Sequence, residues 1–141
     1  MKYLLSALFL AGIAVADQPQ DDVAQLNGTW ILVRAEVDGS PLPKEVLEHS
    51  TLKIDGDKHT LQLGQDVSGG THRFDATTNP KGYDQTDETE PFKGQKRYGI
   101  YRLQADELTF CIASAGHPRP KDFTTTKGSD QMLTVWKRQS K

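Results

Sequence analysis

The sequence has a single cysteine and almost no excess of charge of either sign. No disulfide can form within a chain whose only cysteine is Cys111, so this 141-residue chain must rely on an apolar core for stability. The 17 lysine and arginine residues against 19 acidic residues give a formal net charge of -2. Nucleic-acid-binding domains normally carry a clear cationic excess, and we therefore expect no nucleic-acid partner.

Sequence motifs of catalytic and metal sites are also scarce. The chain has no Gly-x-Ser-x-Gly motif, and no glycine-rich phosphate loop precedes a helical pattern. The four histidines are widely separated, which does not favour a zinc site: His49, His59, His72 and His117. No cationic residue adjoins Cys111 in sequence to lower the pKa of its thiol, which favours a buried, inert thiol over a reactive one. We therefore expect a protein that is not an enzyme, with no cofactor and no metal.

The first 16 residues have the pattern of a Sec-type signal peptide. Lys2 precedes an apolar run over residues 4–15, and small residues lie at the recognition positions before Asp17. The alternative, an uncleaved membrane anchor, is disfavoured because the run is shorter than the roughly 20 apolar residues of a membrane span. We expect export to the periplasm or the exterior, with no stable membrane insertion after cleavage.

The rest of the chain is predicted to be a polar lead-in and one domain. Residues 17–25 are mostly polar and predict a flexible segment before a domain over residues 26–141. Alternating apolar patterns bounded by turn residues predict short strands. They lie at residues 29–37, 51–55, 58–63, 71–76, 83–88, 97–104, 107–113 and 132–138, with a further short segment at 122–126. Ser68-Gly69-Gly70 is interpreted as a turn or bulge between strands.

The order of these elements predicts an all-β fold. One short helix over residues 43–49 follows the first strand, and no strand–helix–strand alternation is present. Eight to nine strands joined by tight turns indicate an antiparallel up-and-down meander, which can close into a barrel and so remove its exposed edges. A two-sheet sandwich is the alternative.

A pairing of the two ends of the domain supports closure. Gly28 and Trp30 open the first strand, and Arg138 ends the last one. In a closed barrel these strands are neighbours, so the guanidinium can lie on the indole. The sequence here resembles the lipocalin-like, or calycin, superfamily, whose members begin with Gly-x-Trp and stack a C-terminal arginine on that tryptophan. The alternative is a generic core tryptophan with a solvated arginine.

A closer resemblance extends over nearly the whole domain. It rests on short elements in a fixed order: Leu26-Asn-Gly-Thr-Trp30, Asp38-Gly39, Pro43, Ile54-Asp-Gly-Asp57, Pro80-Lys81, Asp84, Gly99-Ile-Tyr101, Asp106-Glu-Leu108, Cys111, Arg119-Pro120, Phe123 and Lys137-Arg138. These resemble a family of uncharacterised small exported domains abundant in planctomycete bacteria. The resemblance implies a lipocalin-like fold and a bacterial envelope setting, and it carries over no catalytic residues. Asn27 departs from the glutamine more usual in that family.

Candidate ligand-binding residues come from strand alternation and from one loop. Tyr101 and Cys111 lie on adjacent predicted strands and can both line a barrel lumen, and Arg119, in a Pro-flanked loop, can lie at its mouth. The alternative for each is core packing or loop rigidity. The leading hypothesis is a module that binds a small apolar ligand. The alternative is a cell-envelope interaction or inhibitor domain that acts through the loops at residues 79–82 and 117–120.

Overall fold

The computed structural model describes residues 19–140, with side chains from residue 23 onwards. The expected signal peptide at residues 1–16 lies outside the described residues. Within the described range, none of the helices combines the length and apolar character that crossing a membrane requires.

The described chain is a meander of nine antiparallel strands with two short helices. The helices are α1 (Pro19–Leu26) and α2 (Lys44–Glu48). The strands are β1 (Gly28–Val37), β2 (Ser40–Pro41), β3 (Thr51–Asp55), β4 (Lys58–Leu63), β5 (Asp66–Asp75), β6 (Lys81–Asp87), β7 (Lys96–Gln104), β8 (Glu107–Ala113) and β9 (Gln131–Arg138). The predicted all-β class is confirmed, as is the single short helix between the first two long strands.

The sheet closes on itself through its first and last long strands. Each strand from β3 to β9 pairs with the next one along the chain, and β1 pairs with both β3 and β9. Trp30 thereby lies opposite Leu52 on one side and Arg138 on the other. The result is an eight-stranded lipocalin-like barrel rather than a sandwich. The two-residue strand β2 pairs only with the end of β1 and remains outside the ring.

Two ends of the barrel can be distinguished by the direction of the strands. At the closed end, where β1 begins and β9 ends, α1 brings the fully buried Leu26 against Trp30. The Trp30 Nε1 donates a hydrogen bond to the Leu26 carbonyl oxygen, 3.0 Å away. At the open end, where β1 ends and β9 begins, lie α2 and the longer loops at residues 88–95 and 114–130. Helix α1 therefore covers the closed end, whereas helix α2 and these longer loops surround the open end.

The lead-in before the barrel is helical over its described part rather than irregular. Helix α1 occupies residues 19–26, whereas the sequence predicts a flexible segment at 17–25. Proline suits the first position of a helix. The buried Leu26 at its last position gives this helix a tertiary contact. A helix this short needs such a contact, because it is not stable in water on its own.

Strand β5 begins five residues before its predicted start at Thr71. It begins at Asp66 and includes Gly69 and Gly70, which the sequence suggests are a turn or bulge. A Cβ at Gly70 would lie 2.3 Å from the Thr86 carbonyl oxygen, so only glycine fits where β5 and β6 approach. Gly70 is therefore needed for the close packing of β5 against β6, and it does not mark the end of the strand.

The long connection between β8 and β9 contains no strand, including at residues 122–126. It packs along the outside of the barrel, where Phe123 contacts a small cluster of Ile100, Cys111 and Leu133. The main cluster lies inside the ring and includes Trp30, Leu52, Tyr83, Tyr101, Leu108, Phe110 and Trp136. A side chain buried in this protein can thus lie on either face of the sheet.

Candidate functional site

The interior of the barrel is not completely filled. A cavity of about 260 Å³ lies towards the open end, between the main cluster and the loops. Its apolar wall comes mainly from Leu52, Leu61, Leu63, Phe110, Ile112 and Trp136. Its polar wall includes His59, Gln85, Asp87 and Arg97, together with Asp38 and other polar residues towards the open end. Because successive side chains of a strand point to opposite faces, alternate residues of β4, β6 and β8 supply these walls.

An ion pair on the polar wall joins β6 to β7. The Arg97 Nε lies 3.0 Å from Asp87 Oδ2, and the Gln85 Nε2 donates to Asp87 Oδ1 at 2.9 Å. The guanidinium carbon of Arg97 also lies 5.3 Å from the centre of the Phe92 ring, in the loop of the open end. Both oxygens of the carboxylate are thereby bound, and the two charges balance each other beside the cavity.

Two histidines from neighbouring strands meet beside this ion pair. The Nδ1 atoms of His59 and His72 are 3.0 Å apart, and the two rings stack with their centres 5.2 Å apart. The Nε2 of His72 lies 2.8 Å from the Gly56 carbonyl oxygen. His59 lines the cavity, whereas His72 packs behind it against Phe74.

Burial lowers the pKa of both histidines. Desolvation, followed by the proximity of His72, lowers the pKa of His59 to about 4 even though Asp87 acts in the opposite direction. Desolvation also lowers the pKa of His72, against the effects of the Gly56 carbonyl and Asp57. Both rings are therefore neutral at pH 7. Within residues 19–140, no group of three or more His, Cys, Asp or Glu residues could hold a metal ion.

The predicted ligand residues Tyr101 and Cys111 lie on opposite faces of the sheet. Tyr101 is buried inside the ring, where its ring centre lies 4.9 Å from that of Phe74, below the cavity. Cys111 lies outside the ring, because it neighbours Phe110, which faces inwards opposite Tyr101. Neither residue lines the cavity. The two side chains therefore do not share the lumen that the sequence analysis assigned to them.

The thiol of Cys111 is covered by the 114–130 connection. Its Sγ lies 3.7 Å from the Thr124 carbonyl oxygen and 3.8 Å from Gln131 Oε1. Desolvation, with a further contribution from Asp122, raises the pKa of this thiol to about 11. The group is thus protonated at neutral pH and enclosed.

Arg119 lies on the outer wall of the barrel rather than at its mouth. Its Nη1 donates to the carbonyl oxygens of Gly99 and Tyr83 at 2.8 and 3.2 Å, and its Nη2 lies 2.6 Å from Asp84 Oδ1. The guanidinium is therefore held by two strands and fastens the 114–130 connection to them. This contact also brings the predicted interaction loops at residues 79–82 and 117–120 together, around an outer groove of about 570 Å³.

The residues expected to close the barrel meet at the closed end. The guanidinium carbon of Arg138 lies 4.3 Å from the centre of the Trp30 ring. Gly28 has a φ of 131°, and a Cβ there would lie 3.6 Å from Arg138 Nη1. The left-handed φ at this position thus favours glycine directly beside the arginine.

The pairing of His59 with His72 was not predicted from the sequence. The available signal was the register of the hairpin formed by β4 and β5, in which His59 lies opposite Gly70, two residues before His72. Residues two apart on a strand share a face, so this register places both imidazoles inside the ring. Because Ser68-Gly69-Gly70 was interpreted as a turn or bulge, the predicted strand began at Thr71 and did not include Gly70, the residue opposite His59.

Comparisons of the chain with protein-family models, curated proteins and solved structures gave no significant match. The barrel is thus known from its own geometry, and the resemblance to the calycin superfamily and to the planctomycete domains stays a prediction.

Proposed function

We propose that this protein is an exported, non-catalytic binding module that holds a small, largely apolar ligand in the barrel cavity. The observation that carries the proposal is the cavity itself, which an eight-stranded barrel does not need because its side chains can fill the interior. An apolar cavity of about 150 Å³ is enough for benzene. A cavity of about 260 Å³ therefore suits a molecule of one or two rings, or a short chain.

The chemistry of the polar wall supports a binding role rather than catalysis. Asp87 is held in place by Arg97 and Gln85, and each of its carboxylate oxygens already has a bonding partner. Cys111 lies outside the ring with a raised pKa, so it is a poor nucleophile for anything in the cavity. Export is supported by the N-terminal sequence pattern, and a bacterial envelope setting by the family resemblance.

A fluorescence titration tests the proposal. Trp136 lines the cavity, whereas Trp30 lies at the closed end, so a ligand in the cavity should change the emission of Trp136. We expect saturable binding of some members of a panel of small aromatic compounds and short fatty acids. The substitution Trp136→Phe should remove the signal, and Trp30→Phe should leave most of it.

A filled cavity supplies the control. Leu61→Trp places a larger side chain into the apolar wall and should abolish binding while the circular-dichroism spectrum stays that of a β protein. A flat response across the panel would reject the proposal. Equal binding by the folded Leu61→Trp variant would place the ligand elsewhere.

A second candidate function is recognition of an envelope protein through the outer groove. The observation favouring it is that the loops at residues 79–82 and 117–120 converge there. The groove carries three cationic side chains, Arg73, Arg119 and Lys121, against two carboxylates, which favours an acidic segment of a partner.

Purification of complexes from envelope extract tests this candidate. A specific partner should be lost with Lys121→Glu and retained with Lys44→Glu, a charge reversal at an exposed position of α2 at the open end. A partner captured equally by both variants would not use the groove.

A further inference from the structure

The position of one proton in the histidine pair is fixed by the backbone. The Nε2 of His72 lies 2.8 Å from the Gly56 carbonyl oxygen, and a carbonyl oxygen can only accept a hydrogen bond. The Nε2 of His72 must therefore carry a proton. Since a neutral imidazole has one ring proton, the Nδ1 of His72 then has a free lone pair.

The position of the second proton follows from the first. The Nδ1 of His59 lies 3.0 Å from that of His72, and two lone pairs would repel each other at this distance. The Nδ1 of His59 therefore donates to the Nδ1 of His72. Two neutral rings share two protons, and both are now assigned, so the Nε2 of His59 carries none.

This unprotonated nitrogen belongs to a side chain that lines the cavity. The Cε1–Nε2 edge of His59 lies across Gly70, where a Cβ would be 3.1 and 3.3 Å from these two atoms. No residue of the described chain forms a hydrogen bond with the Nε2 of His59. An acceptor therefore remains unused on the polar wall, besides Asp38 Oδ1, which also lines the cavity and is buried without a hydrogen-bond partner among the described residues.

From this geometry we infer that the Nε2 of His59 is the recognition atom of the cavity, and that it selects uncharged ligands in which an N–H or O–H donor is attached to an apolar ring. This inference rests on the proposed function and specifies its ligand class. The donor binds His59, and the ring packs against Leu61, Phe110 and Trp136 on the apolar wall.

The neighbouring groups disfavour the main alternative, an anionic ligand. The Arg97 Nε and the Gln85 Nε2 already donate to Asp87. A carboxylate ligand would meet the lone pair of His59 and the charge of Asp87, and it would lose its hydration. A neutral donor satisfies His59 without disturbing the ion pair.

A matched pair of probes tests the selection. Indole and benzofuran have nearly the same shape, but indole has an N–H donor where benzofuran has an oxygen. By calorimetry at pH 7.5 we expect indole to bind the wild-type protein roughly tenfold more tightly than benzofuran, the size of one net hydrogen bond. His59→Leu should remove this preference, so that the variant binds indole and benzofuran with equal affinity.

The tautomers can be observed without a ligand. A long-range proton–nitrogen correlation spectrum at pH 7.5 should show an unprotonated Nε2 in His59 and a protonated Nε2 in His72. The opposite assignment for His59 would overturn the inference even if both probes bind. This measurement and the wild-type affinity ratio suffice if His59→Leu does not fold.

The outcomes separate the inference from the proposed function. Equal affinities of the wild-type protein for indole and benzofuran would refute donor selection while supporting a ligand cavity. Binding of neither probe, nor of any other small aromatic compound, would reject both.

Discussion

Arg138 lies over the face of Trp30, with the guanidinium carbon 4.3 Å from the ring centre, and the same arginine binds the end of helix α1. Its Nη2 donates to the Gln25 carbonyl oxygen at 2.5 Å, and its Nη1 donates to that of Asn27 at 3.2 Å. A cation near the last carbonyls of a helix is favourable. One side chain of β9 therefore fastens α1 to the closed end of the barrel.

Arg138→Ala should lower the free energy of unfolding by about 2 kcal/mol, because it removes the cation–π contact and the hydrogen bonds to α1. Urea denaturation measures the change. Arg138→Lys keeps the charge but not the planar contact and should recover only part of the loss. Lys137→Ala, at the exposed neighbouring position, serves as the control. A stability loss no larger than that of the control would show that the contact contributes little.

Gly70→Ala should destabilise the protein by about 1–3 kcal/mol, since the new methyl group would collide with the Thr86 carbonyl oxygen and the His59 ring. The neighbouring Gly69→Ala meets only the His59 carbonyl oxygen, at 3.2 Å, and should cost less. Thermal unfolding of the two variants makes the comparison. If they unfold at the same temperature, the close approach at Gly70 does not limit this site.

Stability should fall as the pH decreases from 6.5, the ordinary pKa of histidine. In this range the unfolded chain takes up protons, whereas His59, with a pKa of about 4, and His72, whose pKa is also lowered, resist protonation in the fold. Each histidine contributes a slope of up to about 1.4 kcal/mol per pH unit, which disappears below its folded pKa. The groups facing the pair are Asp57 and Asp87, and both partly oppose the shift.

Urea denaturation at pH 7.5 and pH 5.5 measures this slope. His59→Leu should reduce it, whereas His49→Ala, at an exposed position, should not. A wild-type stability that is constant over this interval would contradict the assignment of two neutral, buried imidazoles.

Cys111 should react slowly with a thiol reagent at pH 8 while the protein is folded, because burial raises its pKa to about 11 and the 114–130 connection covers it. The same reagent should label the denatured chain rapidly. Phe123→Ala opens the cover of the outer cluster and should accelerate labelling of the folded protein. Fast labelling of the wild type would mean that the connection does not protect the thiol.

Arg119→Ala should make the 114–130 connection sensitive to trypsin at Lys121 and Lys127, since the arginine fastens it to Gly99 and Asp84. Mass spectrometry of limited digests locates the cuts. Arg102→Ala removes a different contact of the same connection, with Phe123, and tests whether any one attachment suffices. If trypsin cuts Arg119→Ala no faster than the wild type, other contacts hold the 114–130 connection to the barrel.

The fold could be predicted because most of its signals are local. Asp55-Gly56-Asp57 identifies a tight hairpin, and Gly56 indeed has a φ of 61°, in the left-handed region that glycine favours. Alternation then places Leu52 and Ile54 on the buried face. Closure could be anticipated as well, because Trp30 and Arg138 lie at the outer ends of the first and last strands.

The site was harder to predict because it depends on strand register. The turn at Ala105 and Asp106 pairs Tyr101 with Phe110, so Cys111 must face the other way, a consequence that the sequence analysis did not draw. In β1 the register shifts between Leu32 and Arg34, which changes the face of every later residue in that strand. The sequence around this register shift contains no glycine, proline or other turn residue that would predict it.

The pairing of β1 with β9 also determines when the barrel can close during folding. Every other long strand finds its partner next along the chain, but β1 keeps one unsatisfied edge until the last strand has been synthesised. Such a delayed, distant pairing slows folding and leaves an edge on which other chains can assemble. The newly made protein is therefore most vulnerable to aggregation in the interval before β9 docks.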